Sequence, residues 1–155
     1  MSERGFGIDA TTPIDVARQV AQEAEAAGFR SFWVNGSPPR EALEILGAAA
    51  DVTSIPLGTG VIPLHRRGID DVIDDVKQIG IPAHRLLLGI GYGEPKDALA
   101  TMREAVRRIR HDLGAAPIVG PFGPNMTRLA GEISDGALFT WWFREAIEES
   151  RPLVE

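Results

Sequence analysis

Short apolar runs alternate with segments in which apolar residues recur every three or four positions, and the alternation repeats six times along the chain. The runs occupy residues 5–9, 29–34, 55–60, 85–91, 117–121 and 137–141. They are apolar at successive positions rather than at every second one, as strands covered by helices on both faces require. The pattern predicts six strands in a mainly parallel sheet, each crossover containing a helix. The helical segments carry their own boundary signals. Thr12 is placed as the cap of the first, with Pro13 at its first position and Asp15 at its third; Val16, Val20, Ala24 and Ala27 form its stripe and Gly28 ends it. The second spans residues 39–51. In the third, Ile69, Val72, Ile73, Val76 and Ile79 share one side, which leaves Asp70, Asp71, Asp74 and Asp75 outside as a solvated face rather than a metal site. A fourth runs over 96–113 and stops at Gly114, a fifth starts near residue 123, and a sixth near Arg144.

Strict alternation of strand and helix leaves two α/β architectures, the doubly wound open sheet and the parallel (β/α) barrel. A complete eight-unit barrel takes about 250 residues, whereas this chain fits six units into 155. The sheet is therefore either open or a barrel cut short, in a single domain over 1–155.

Composition narrows the function classes. Hydrophobic residues make up 44% and charged residues 25%, the balance of a globular chain, and no apolar run approaches the roughly 20 residues of a membrane span. The opening "MSERGFGID" lacks the basic and then apolar pattern of a secretory leader, so a cytoplasmic location is the expectation. Without cysteine, disulfides, thiolate catalysis and cysteine metal sites are excluded. A net charge of −6 with no basic face argues against nucleic acid. The expected partner is a small-molecule substrate, with neither nucleic acid nor membrane.

Three glycine-bearing segments carry the candidate chemistry. "LLLGIGYGE" has Glu94 where a dinucleotide fingerprint needs its third glycine, so Gly89, Gly91 and Gly93 either let a strand end turn beneath its neighbours or line a ligand loop. Glu94 itself follows the carboxyl end of a parallel strand, where α/β folds place their chemistry. In "PLGTGVIPL", Gly58 and Gly60 bracket Thr59 and allow close approach of either a flat ligand or a packed neighbour. In "VGPFGPNMTRLAGEISDG" an open loop leads into a helix start, which is a phosphate seat or simply a capped helix, with Arg128 one turn on. His65 follows the third strand, His84 precedes the fourth and His111 lies on a helix; no paired-histidine, zinc or serine-nucleophile motif is present. Trp33, Trp141 and Trp142 read as core, the last two at a strand end.

The pieces "AQEAEAAGFRSFWV", "IPLGTGVIPL", "RLLLGIGYGE" and "GPFGPNMTRLAGEISDGALFTWW" together resemble the luciferase-like monooxygenase and coenzyme F420-dependent oxidoreductase superfamily, in its methylenetetrahydromethanopterin reductase-like branch. The resemblance implies an incomplete TIM-type (β/α) barrel of about six units. It implies binding of coenzyme F420, or alternatively FMN, at the carboxyl ends of the strands, with hydride transfer to or from a small organic substrate. A non-prolyl cis peptide then follows the third strand, at Gly60 and Val61. Glu94 maps onto an acid that serves some relatives as proton donor, with Gly91, Tyr92 and Gly93 on the same loop. Gly123, Pro124 and Asn125 map near the cofactor tail, and Asn35 and Thr59 complete the implied cofactor-binding set. No metal is implied. Three features depart from the pattern: Asn35 and Gly36 stand where relatives often carry Asp-His, the long insertion after the fourth helix is absent, and so are the last two βα units. The alternative function is a non-catalytic flavin- or F420-binding or interaction module of the same fold. Six strands do not close as eight do, so an open sheet edge is expected to be covered by a second copy, as in a dimer, or by the last helix.

Overall fold

The computed structural model of the protein describes residues 4–93, 97–140 and 144–154. Its strands are β1 (Gly5–Ile8), β2 (Ser31–Val34), β3 (Leu57–Thr59), β4 (Ile62–Pro63), β5 (Leu86–Gly91), β6 (Ala116–Val119) and β7 (Gly136–Ala137). Every pairing is parallel, in the order β1-β2-β3-β5-β6-β7, with β4 also paired to β5. All six expected strands are present, and β4 is a short addition that extends β3. Because chain order is kept across the sheet, there is no point at which the order reverses, and the doubly wound alternative is excluded.

Helices α1 (Ile14–Ala26), α2 (Pro39–Ala50), α3 (Ile69–Ile79), α4 (Ala98–Arg108) and α5 (Pro124–Ile133) intervene between strands, and α6 (Arg144–Ser150) follows β7. The register sorts the strand residues into two faces. Phe6, Phe32, Leu57 and Leu86 stand side by side on the outer face; Phe32, Leu57 and Leu86 join Leu43, Leu46, Val72, Met102 and Ile109 in one buried cluster under the helices. The next row, Gly7, Trp33, Gly58 and Leu87, lies on the inner face. There the Trp33 ring fills the space that a side chain at Gly58 would need, at 2.3 Å from its Cβ position. Just past β7, Leu138 reaches back toward the residue after β3, its Cδ2 lying 3.1 Å from where Gly60 would carry a Cβ. The sheet is thus a half-barrel, an incomplete TIM-type α/β fold. No helix among the described residues is long and apolar enough to cross a membrane.

Three local expectations are corrected. Thr12 does not cap α1, which starts at Ile14 with Pro13 in the cap position and no side-chain cap bond. The Asp9 carboxylate instead accepts the Thr11 N–H and hydroxyl at 2.9 and 2.6 Å, and the turn this makes occupies the residues ahead of the helix. The buried stripe of α1 is Ala17, Ala21 and Ala24, which join the core cluster, while Val16 is 44% exposed. Asp75 is the second correction. Asp70, Asp71 and Asp74 stay outside, but Asp75 is only 2% exposed and accepts bonds from Arg40 on α2 and from Arg67 Nε at 2.5 Å in the loop before α3. Lastly, the fourth helix is not one regular cylinder: α4 gives way to a π turn over Ile109–Leu113 before Gly114, whose φ of 68° reverses the chain.

Removing one partner of a buried ion pair leaves the others without compensation. Asp75→Asn is expected to lower stability by about 1–3 kcal/mol, less than for a fully buried pair because both arginines reach solvent. Urea unfolding of the two proteins measures this, and a difference below about 0.5 kcal/mol contradicts the structural role given to Asp75.

Candidate functional site at the carboxyl ends of the strands

The third strand carries one residue too many. Gly58 pairs with Leu87 and Ile62 pairs with Ile90, so four steps on β3 and β4 run beside three on β5. The extra residue makes a bulge, and the Gly60–Val61 peptide inside it is cis, where the resemblance placed such a bond. A slip of one residue exchanges the faces of everything after it. Ile62 therefore goes to the buried outer side, and Val61 turns inward. Its methyl groups lie 3.2, 2.9 and 3.0 Å from the Cβ positions of Gly89, Gly91 and Gly120, so Val61 takes the room that three neighbouring side chains would have used. The Val61 carbonyl oxygen lies 2.2 Å from the Cβ position of Gly36. In this chain a side chain at position 36 has no space beside the bulge.

A cleft of about 820 Å³ opens over this floor. Val61, Gly91 and Gly120 form the base; Tyr92 and Gly93 follow from β5, Pro63 and His65 from β4. Ala98 and Leu99 at the start of α4 face Phe122, Asn125 and Met126 at the start of α5. Leu99 is 43% and Phe122 is 90% exposed, so the mouth is rimmed by large apolar groups. A shallower groove of about 550 Å³ between α4 and α5 has three arginines, but each is already paired with a carboxylate.

One end of the cleft meets the start of α5. Gly123 occupies the cap position at φ 80° and ψ 166°, backbone that glycine adopts freely, and Pro124 follows. The first helical bond runs from the Thr127 N–H to the Gly123 oxygen at 3.1 Å, and no side chain caps the helix. The amides of Asn125 and Met126 therefore have no helical acceptor and stand at the positive end of the helix.

Of the residues singled out from the sequence, Val61, Gly91, Tyr92, Gly93 and Asn125 come together at the cleft, with Gly60, Gly123 and Pro124 next to them in the chain. Thr59 does not face it: the side chain is fully buried and its hydroxyl donates to the Gly89 carbonyl at 2.8 Å. Asn35 follows β2, with its N–H on the Ile8 oxygen at 3.0 Å, and sits beside Asp9 rather than on the cleft. Arg128 lines a groove with Pro152 and Leu153 on the other side of α5. Glu94, Trp141 and Trp142 lie outside the described residues.

His65, which the sequence left unpromising, is on the cleft. The Gly93 N–H donates to its Nδ1 at 3.4 Å, and the Tyr92 ring stands edge-on to it at 6.5 Å and 83°. The signal for it was its place just past the third strand. His84 belongs to a turn at the amino end of β5. His111 lies on the π turn with Nδ1 2.7 Å from Asp112; that bond and the one from Arg108 hold the Asp112 carboxyl down at about 2. Among the described residues no three potential ligands gather to hold a metal.

No family model matches the chain. Among solved structures it is similar to the coenzyme F420-dependent tetrahydromethanopterin reductase from Methanopyrus kandleri, with a TM-score of 0.76 and 18% identity over 99% of this chain and 60% of that one. It is also similar to PhdJ bound to a substrate intermediate, with a TM-score of 0.69 and 16% identity over 99% of this chain and 57% of that one. The protein thus has the fold of an F420-dependent reductase over about three fifths of that enzyme's length.

Proposed function

We propose that the cleft binds coenzyme F420, or FMN in its place, and that the protein is a cytoplasmic oxidoreductase of the luciferase-like type acting on a small organic substrate. The observation that carries this reading is the bulge, which brings Val61 inward over Gly91 and Gly120 to make an apolar floor at the strand ends. A floor of that kind suits a flat ring, and a cleft of this volume is within the range of small-molecule sites. The open amides of Asn125 and Met126 suit the phosphate of a cofactor tail, an interaction worth up to about 1 kcal/mol in an exposed setting. When bound, such a cofactor supplies a ring atom that takes up and returns hydride. The chain's own part is to bind and orient: Val61 supports the ring from behind, Leu99 and Phe122 keep water from its edges, and Glu94 serves as proton donor.

A second reading, a cofactor-binding module without catalysis, is favoured by Asn35 standing away from the cleft and by Gly36 having no room for a side chain. The assembly proposal is a homodimer. Among the described residues β1 and β7 each pair on one side only, and a second copy would cover the open edge.

Titration with F420 and with FMN, followed by visible absorption, is expected to show saturable binding of at least one. Asn125→Asp sets a carboxylate beside the two amides and is expected to weaken it about tenfold; no spectral change with either cofactor refutes the reading. Glu94→Gln is expected to slow hydride transfer by 10² to 10⁴-fold at unchanged affinity, and an unaltered rate moves the conclusion to the binding module. Light scattering is expected to give twice the mass of one chain, against which a clean monomer counts directly.

A further inference from the structure

We infer that the uncharged imidazole of His65 carries its proton on Nε2, and that it offers this N–H to a carbonyl oxygen or ring nitrogen of the ligand in the cleft. The inference deepens the cofactor reading and rests on it. The Gly93 amide hydrogen is directed at Nδ1 over 3.4 Å. A ring nitrogen that accepts a bond carries no proton, so the single proton of the uncharged imidazole is on Nε2. The ring is set from two sides. Its Cε1 lies 3.1 Å from the Cβ position of Gly93, a distance that leaves little room for a side chain there, and Tyr92 meets it edge-on. Nε2 is the nitrogen farther from Gly93, at 3.8 Å from that Cβ position against 3.3 Å for Nδ1, and the side chain lines the cleft.

A neutral imidazole in this state polarises an acceptor by hydrogen bonding and keeps its proton. His65 is therefore assigned as a ligand-orienting donor. It follows β4, which pairs with β5.

Long-range proton–nitrogen correlation spectra of the full chain at pH 8.5, where an imidazole is uncharged, report the tautomer without any ligand, with His65→Ala supplying the assignment. Nδ1 is expected in the unprotonated range and Nε2 in the protonated one. Titration with FMN or F420, whichever the wild type binds, is expected to show three- to tenfold weaker binding for His65→Ala. His65→Gln retains an N–H donor and is expected to recover most of that loss. An Nδ1-protonated ring, or equal affinity in His65→Ala, overturns this inference while leaving the cofactor reading intact. Failure of the wild type to bind either cofactor overturns both.

Discussion

A parallel ladder pairs one residue with one residue, and the surplus residue between Gly58 and Ile62 is the constraint around which the strand ends are arranged. Before it, Thr59 is buried and pinned to Gly89 by its hydroxyl; after it, Val61 points the other way. Small residues at four neighbouring positions are the counterpart of that reversal. Gly36 yields to the Val61 carbonyl, and Gly89, Gly91 and Gly120 yield to its methyls or to the Thr59 carbonyl beside them. A larger residue at Gly36 or Gly89 would have to move backbone, and one at Gly91 or Gly120 would have to displace the Val61 side chain.

The outer face holds this inner arrangement in place. Asp75 receives Arg40 from α2 and Arg67 from the loop that leaves β4, so a buried carboxylate ties two helices to the segment that carries His65 only two residues earlier. Core packing and the position of a cleft side chain are thus coupled through one ion-paired group, although the pair costs desolvation and lends position more than net stability.

The site relies on short-range groups. With a net charge of −6 the protein as a whole repels anions, and among the described residues no lysine or arginine lines the cleft. In the proposed binding, attraction for an anionic group would come from the first turn of α5, where the field of the helix is felt only within a few ångströms. Apart from the side chains of His65, Tyr92 and Asn125, the described lining is apolar or backbone, which under the proposed reading suits a ligand whose bulk is a flat ring and whose charge is at one end.

The sequence by itself determined the elements. Six doubly apolar runs separated by helical stripes became six parallel strands in chain order, because burial on both faces is written into each run locally. The open start of α5 was legible in "GPFGPN" for the same reason: proline and glycine act on their own backbone. Tertiary structure decided what depends on a neighbour. Whether a glycine serves packing or a ligand was open in the sequence; Trp33 claims Gly58 and Thr59 claims Gly89, while Gly91 and Gly93 reach the cleft. The rotation of α1 and the burial of Asp75 follow from which helix lies alongside, and no periodicity records that. The bulge is the clearest case, since register belongs to a pair of strands and cannot be read from one of them. Through it the fold, not the chain's local pattern, chose Val61 for the floor and brought His65 to the cleft wall.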